Sequence, residues 1–127
     1  MKMAFVCSPF GWDYENMKQA KKYANALHLC FSKSGYMFIV PHLIFPQYIS
    51  KSQESEGIEY CKELLKRSDV IVVCGRLLSP GMVKELEQAA CQEKDIFHAR
   101  FLVGGGLSFE KTTKEFIFEN CERVVKK

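Results

Sequence analysis

The sequence predicts an α/β domain of the doubly wound kind, a parallel sheet of four to five strands with helices on both faces. Two patterns carry this expectation. Short, unbroken apolar runs recur along the chain, as expected of strands covered on both sides. Stretches with apolar residues every three or four positions alternate with them, and the connections are short. Such alternation builds parallel strands joined by right-handed crossovers.

Met3-Ala4-Phe5-Val6-Cys7 is the first run and predicts a buried strand. The loop Ser8-Pro9-Phe10-Gly11-Trp12-Asp13 follows. A long helix comes next, with Met17, Ala20, Ala24, Leu27 and Phe31 on one stripe, Asp13 as its N-cap and Gly35 as its stop. Tyr36–Val40 predicts the second strand, Pro41–Gln47 an apolar loop between prolines, and Ser50–Gly57 a polar, mobile stretch. A second helix is expected over Ile58–Arg67. Val70-Ile71-Val72-Val73-Cys74, β-branched and unbroken, is the clearest strand, and Gly75–Leu78 reads as loop. Ser79 and Pro80 then open a third helix to about Gln92, as N-cap and first helical residue. A fourth strand is expected over Phe97–Val103, a flexible turn at Gly104-Gly105-Gly106, and a last helix from about Lys111 to Val125. No repeat or composition shift divides the chain, so residues 1–127 read as one domain.

Composition narrows the functional classes. The chain is 47% hydrophobic and 26% charged, enough for one packed core. No apolar run approaches the roughly 20 residues of a membrane span, and the initial run is too short for a signal peptide, so a cytoplasmic protein is expected. A net charge of +3, partly from Lys126-Lys127, is too mild for a nucleic-acid polymer but compatible with a small anion. The six cysteines form no C-x-x-C pair, so free thiols are expected and neither metal nor cofactor is implied.

In a doubly wound sheet, ligands bind outside the carboxyl ends of the strands. Residues 7–13, 41–47 and 74–85 converge there. Ser79-Pro80-Gly81-Met82 begins a helix whose unpaired N–H groups suit an anion, with Gly81 permitting close approach. Glu85 lies about one turn further in, the place for a nucleophile or electrostatic stabiliser if it faces the cleft. Otherwise Ser79 merely caps and Glu85 is solvated. Phe10 and Trp12 can stack on a base or pack on the first helix; no G-x-G-x-x-G is present. His42 can be ligand-facing or structural, and a Cys–His nucleophile pair with Cys7 or Cys74 lacks an orienting third group. Asp69 sits at the amino end of its strand, away from the cleft.

Several stretches together resemble the nucleoside 2-deoxyribosyltransferase-like superfamily, in particular its small phage and bacterial branch. They are Phe5-Val6-Cys7-Ser8-Pro9, Glu15-Asn16, Gly35-Tyr36 through Pro41–Gln47, Ser68-Asp69-Val70–Val73 and Ser79-x-Gly81-Met82-x-x-Glu85. The last is the most specific, and the resemblance spans roughly residues 3–103. It implies a flavodoxin- or Rossmann-like fold and cleavage or exchange of the N-glycosidic bond of a deoxynucleoside or its 5′-monophosphate. In the characterised families a helix-borne glutamate attacks C1′; Glu85 holds that place. Ser79 and Gly81 match the 5′-phosphate site of the monophosphate-hydrolysing branch. Ser8, Pro9, Phe10, Gly11, Trp12, His42 and Met82 complete the expected substrate site.

The resemblance also implies a homo-oligomer, since relatives complete their sites with a neighbouring subunit, and the Phe109, Phe116 and Phe118 tail offers either apolar surface for that or core. Two departures bear on catalysis. The first loop reads Phe10-Gly11-Trp12 where the phosphate-hydrolysing branch has an arginine. Glu59-Tyr60-Cys61-Lys62 stands where the enzymes carry a sugar-contacting aspartate, with Glu59 as the available substitute. A non-catalytic nucleotide-binding module, a sensor or sequestering protein on the same fold, is therefore the alternative, and a structural or interaction protein that lost its site a third reading.

Overall fold

The computed structural model describes residues 1–9 and 12–124. Five strands form one sheet in the order β2-β1-β3-β5-β6. β1 (Lys2–Cys7), β2 (Tyr36–Ile39), β3 (Val70–Cys74) and β5 (Asp95–Phe101) run parallel, and β6 (Leu107–Thr112) is an antiparallel edge. Phe5 is in register with Ile39 on one side and Ile71 on the other. Asp69 locks the amino ends: its carboxylate accepts from Met3 N at 2.7 Å and its N–H donates to Met3 O at 2.8 Å.

Alternate residues of the central strands feed two cores. Phe5, Cys7, Ile71 and Val73 pack with Cys61 and Leu65 of α3 (Glu54–Arg67) and Met82, Leu86 and Ala89 of α4 (Pro80–Cys91), joined by Ile117 of α5 (Lys114–Asn120). Ala4, Val6, Val70 and Val72 pack with Ala20, Tyr23 and Leu27 of α1 (Tyr14–Phe31). The expected doubly wound sheet with helices on both faces is thus present, and β1 must be buried on both sides because it separates the two cores. The chain leaves β1 for β2 on one side and returns for β3 on the other. The crevice between the carboxyl ends of β1 and β3 is therefore the switch point.

Several local expectations need correction. Residues 41–47 are not a loop: Pro41 starts the short helix α2 (Pro41–Ile44), a 3-10 turn over Phe45–Gln47 follows, and proline suits a first helical position. Residues 50–57 are ordered into a 3-10 turn and the first turn of α3, which starts at Glu54 rather than Ile58; Ser50 N donates to Gln53 Oε1 at 3.2 Å there. Gly75–Leu78 contains the short strand β4 (Leu77–Leu78), paired with β7 (Glu122–Arg123).

The largest difference follows β5, which spans Asp95–Phe101 rather than Phe97–Val103. Gly104, Gly105 and Gly106 all have φ between 88° and 102°, a turn only glycine adopts easily, and it feeds β6 instead of a helix. Phe109 of β6 then stacks on Phe97 at 4.9 Å between centroids and meets Phe31 at 4.5 Å. The last helix starts at Lys114 because Thr113 Oγ1 caps it, accepting from Phe116 N. It ends at Asn120. Phe109 and Phe118 are consumed within the chain, the latter packed against the core with Arg123 4.3 Å above its ring, whereas Phe116 is half exposed. No helix among the described residues is long and apolar enough to cross a membrane.

Candidate functional site

A cavity of about 790 Å³ opens at the switch point. Its walls are α3 (Glu54, Gly57, Ile58, Cys61), the start of α4 (Ser79, Gly81, Lys84, Glu85) and the β1–α1 segment (Trp12, Asp13, Asn16). Three lysines, Lys51, Lys62 and Lys84, stand against three carboxylates, Asp13, Glu54 and Glu85. The lining is therefore close to neutral.

Ser79 is the N-cap of α4: its hydroxyl accepts from Met82 N at 3.3 Å, and Pro80, which lacks an N–H, takes the first helical position. Gly81 follows on the cavity wall. A Cβ built there meets only Ser79 Oγ, at 3.9 Å, so no contact inside the protein demands glycine. Glu85, one turn on, points inward, with its side chain 13% exposed. Its Oε2 lies 3.9 Å from His42 Nε2, and its Oε1 is buried with no hydrogen-bond partner in bonding geometry among the described residues.

His42 is itself buried, on the first turn of α2, and its Nδ1 lies 3.1 Å from Ser8 Oγ, just beyond the end of β1. Ser8, His42 and Glu85 thus form a chain of polar groups from the strand end to the cavity. Trp12 also lines the cavity, its indole N–H donating to Ile49 O at 2.9 Å. That bond ties the first loop to the segment preceding α3.

Of the residues singled out from sequence, Trp12, Ser79, Gly81 and Glu85 line the cavity. Ser8 and His42 stand behind Glu85 and are fully buried. Met82 is 1% exposed and packs in the core, so only its backbone serves the helix end. Pro9 is half-buried and outside the lining. Phe10 and Gly11 lie outside the described residues. Glu59 does not reach the cavity: it is 72% exposed and pairs with Lys62 at 3.6 Å.

Cys61 was missed by sequence reasoning, although its sulfur, a His42 ring nitrogen and a Glu85 oxygen all lie within 4.8 Å of one another. Burial, and then the Glu85 charge, push the Cys61 thiol above its ordinary range. Burial does the same to Cys7 and Cys74, with Glu85 adding to the shift at Cys7. These directions oppose thiolate formation, and so oppose a Cys–His nucleophile built on Cys7 or Cys74.

A solved structure similar to this chain is that of a 2-deoxyribosyltransferase from the psychrotolerant bacterium Bacillus psychrosaccharolyticus. The TM-score is 0.56 at 16% identity, over 94% of this chain and 82% of that one. At that identity the likeness is one of fold. The comparison with curated proteins returns no match. Residues 2–99 match the family described as domain of unknown function DUF7768, and the chain belongs to that family.

Proposed function

We propose that the protein cleaves or exchanges the N-glycosidic bond of a deoxynucleoside or deoxynucleoside 5′-monophosphate, with Glu85 as nucleophile. The observation that carries this reading is the Glu85 carboxylate, held on the wall of a ligand-sized cavity beside a capped helix N-terminus, its Oε1 making no hydrogen bond in bonding geometry among the described residues. The shared fold with an enzyme named 2-deoxyribosyltransferase supports it.

Glycosidic cleavage passes through an oxocarbenium-like transition state, whose positive charge a close carboxylate stabilises. An oxygen of Glu85 bonds to C1′ as the C1′–N bond breaks, and the base departs with a proton. Water or a second base then attacks C1′ and frees Glu85. Asp13 and Glu54 are the other carboxyl groups on the cavity wall. Glu54, half-buried on that wall where Asp13 is exposed, is the residue we assign to proton delivery. The Ser79 hydroxyl and the Gly81 N–H receive the 5′ substituent, and Trp12 flanks the base.

The test is chromatographic release of free base from a panel of deoxynucleosides and their 5′-monophosphates, with and without an acceptor base. Release is expected from the wild type and is expected to be lost in Glu85→Ala. A wild type that binds but releases nothing supports the second reading, a nucleotide-binding module. That reading is favoured by Glu59, which faces solvent instead of supplying the sugar-contacting acid.

A further inference from the structure

We propose that His42, Cys61 and Glu85 form a binding site for one zinc-class divalent ion, with the fourth coordination position facing the cavity. The three residues come from three successive helices, α2, α3 and α4, and their ligand atoms converge to within 4.8 Å of one another. Around a tetrahedral zinc, bonded to sulfur at about 2.3 Å and to nitrogen and oxygen at about 2.0–2.2 Å, ligand atoms sit about 3.3–3.8 Å apart. Small side-chain rotations close the remaining gap.

The chemistry of the set selects the metal. Thiolate and imidazole are ligands for zinc and its neighbours and poor ones for magnesium or calcium, which require several oxygens. The ion would displace the Cys61 proton to solvent. Thiolate, carboxylate and divalent cation then sum to zero net charge, which suits a site this buried.

Two further features fit. Ser8 Oγ is 3.1 Å from His42 Nδ1, so it can accept the N–H there and leave the Nε2 lone pair directed toward Glu85; metal-bound histidines are oriented in this way by an oxygen behind them. Glu85 Oε1 is buried and without a hydrogen-bond partner among the described residues, an acceptor that an ion would satisfy. Cys61 and Glu85 both line the cavity, so the open position faces ligand-accessible space. Three protein ligands with one open position is the arrangement of zinc sites that exchange water or substrate.

The metal site stands independently of the glycosidic reading. If both hold, a bound ion withdraws Glu85 from C1′, and metal and glycosyl transfer exclude one another.

The experiment is a titration of metal-free, reduced protein with Co²⁺, followed by the absorption of the thiolate-to-cobalt charge transfer and by competition with Zn²⁺. One equivalent of Co²⁺ is expected to raise that band and Zn²⁺ to abolish it. The band is expected to vanish in Cys61→Ser and persist in Cys91→Ser, whose thiol is exposed on α4. The isosteric Glu85→Gln is expected to weaken Co²⁺ binding by about tenfold or more, since losing even a second-shell partner costs that much. Absence of the band in the wild type, its survival in Cys61→Ser, or unchanged affinity in Glu85→Gln overturns the site. Base release measured in excess chelator reads the glycosidic activity separately, so failure of one proposal is distinguishable from failure of the other.

Discussion

Replacing Gly81 with alanine separates what the fold needs at that position from what a ligand needs. Within the protein the new methyl meets only Ser79 Oγ, at 3.9 Å, an ordinary contact. Gly81 is in the first turn of α4, where its backbone freedom is a cost that alanine removes. Glycine in a helix interior is about 0.5–1 kcal/mol worse than alanine, and the first turn should realise the lower part of that range. For a chain this size the gain corresponds to a rise in Tm of about 2–4 °C. Gly81 also lines the cavity, so the same methyl crowds the wall where a 5′ substituent would approach the Gly81 N–H. Losing one charge-assisted hydrogen bond costs about 1.5–3 kcal/mol, roughly a tenfold to hundredfold loss in affinity. The assay pairs thermal unfolding with isothermal titration of a deoxynucleoside 5′-monophosphate. A variant that is more stable and binds at least about tenfold less tightly fits the reasoning. A variant that is stabilised and binds unchanged refutes the placement of the ligand against Gly81, and a destabilised one refutes the reading of the packing.

Other perturbations test the fold and the site's electrostatics. Leu86, fully buried between α4 and the sheet, should cost about 2–5 kcal/mol when cut to alanine, read by urea unfolding. Asp69→Ala removes the carboxylate that holds Met3 N–H at 2.7 Å and should cost about 1–2 kcal/mol without altering ligand binding, because it lies at the opposite end of the sheet. At pH 8 a thiol reagent should label Cys30 and Cys91, which are exposed, and spare Cys7, Cys61 and Cys74 until the protein unfolds; peptide mass mapping reads this.

Those three buried thiols also set a pH dependence. Below the ordinary thiol value of 9.0 both folded and unfolded chains keep them neutral. Above it the unfolded chain ionises while the folded one resists. Stability should therefore fall as pH rises past 9, by up to about 1.4 kcal/mol per pH unit for each thiol. Cys74→Ala should make that decline shallower.

The parallel core was legible because Met3–Cys7 and Val70–Cys74 are apolar without interruption, a pattern that strands covered on both faces require. Ser79-Pro80 marked a helix start by local chemistry alone, and the structure has the cap. β6 escaped notice because Leu107-Ser108-Phe109-Glu110-Lys111-Thr112 is a half-covered edge whose mixed composition carries a weak strand signal until Phe109 finds Phe97. The helical start at Pro41 was hidden in an apolar stretch too short to show a period.

Cys61 was hidden differently. Beginning α3 at Ile58 cut off Gly57 and with it the repeat of Gly57, Cys61 and Leu65, four residues apart, which is the helix's buried stripe. Seen as a stripe, it places Cys61 on the face toward α4. That Cys61 meets His42 and Glu85 depends on three helices converging, and no local spacing encodes it.

The central claim, Glu85 as the nucleophile, is tested most directly by mass spectrometry of protein acid-quenched during turnover of a deoxynucleoside or its 5′-monophosphate. A single deoxyribosyl or phosphodeoxyribosyl adduct, mapped to the peptide bearing Glu85 and absent from Glu85→Ala, is the expected result. Release of free base with Glu85→Ala as active as the wild type, or with the adduct on another residue, would contradict it.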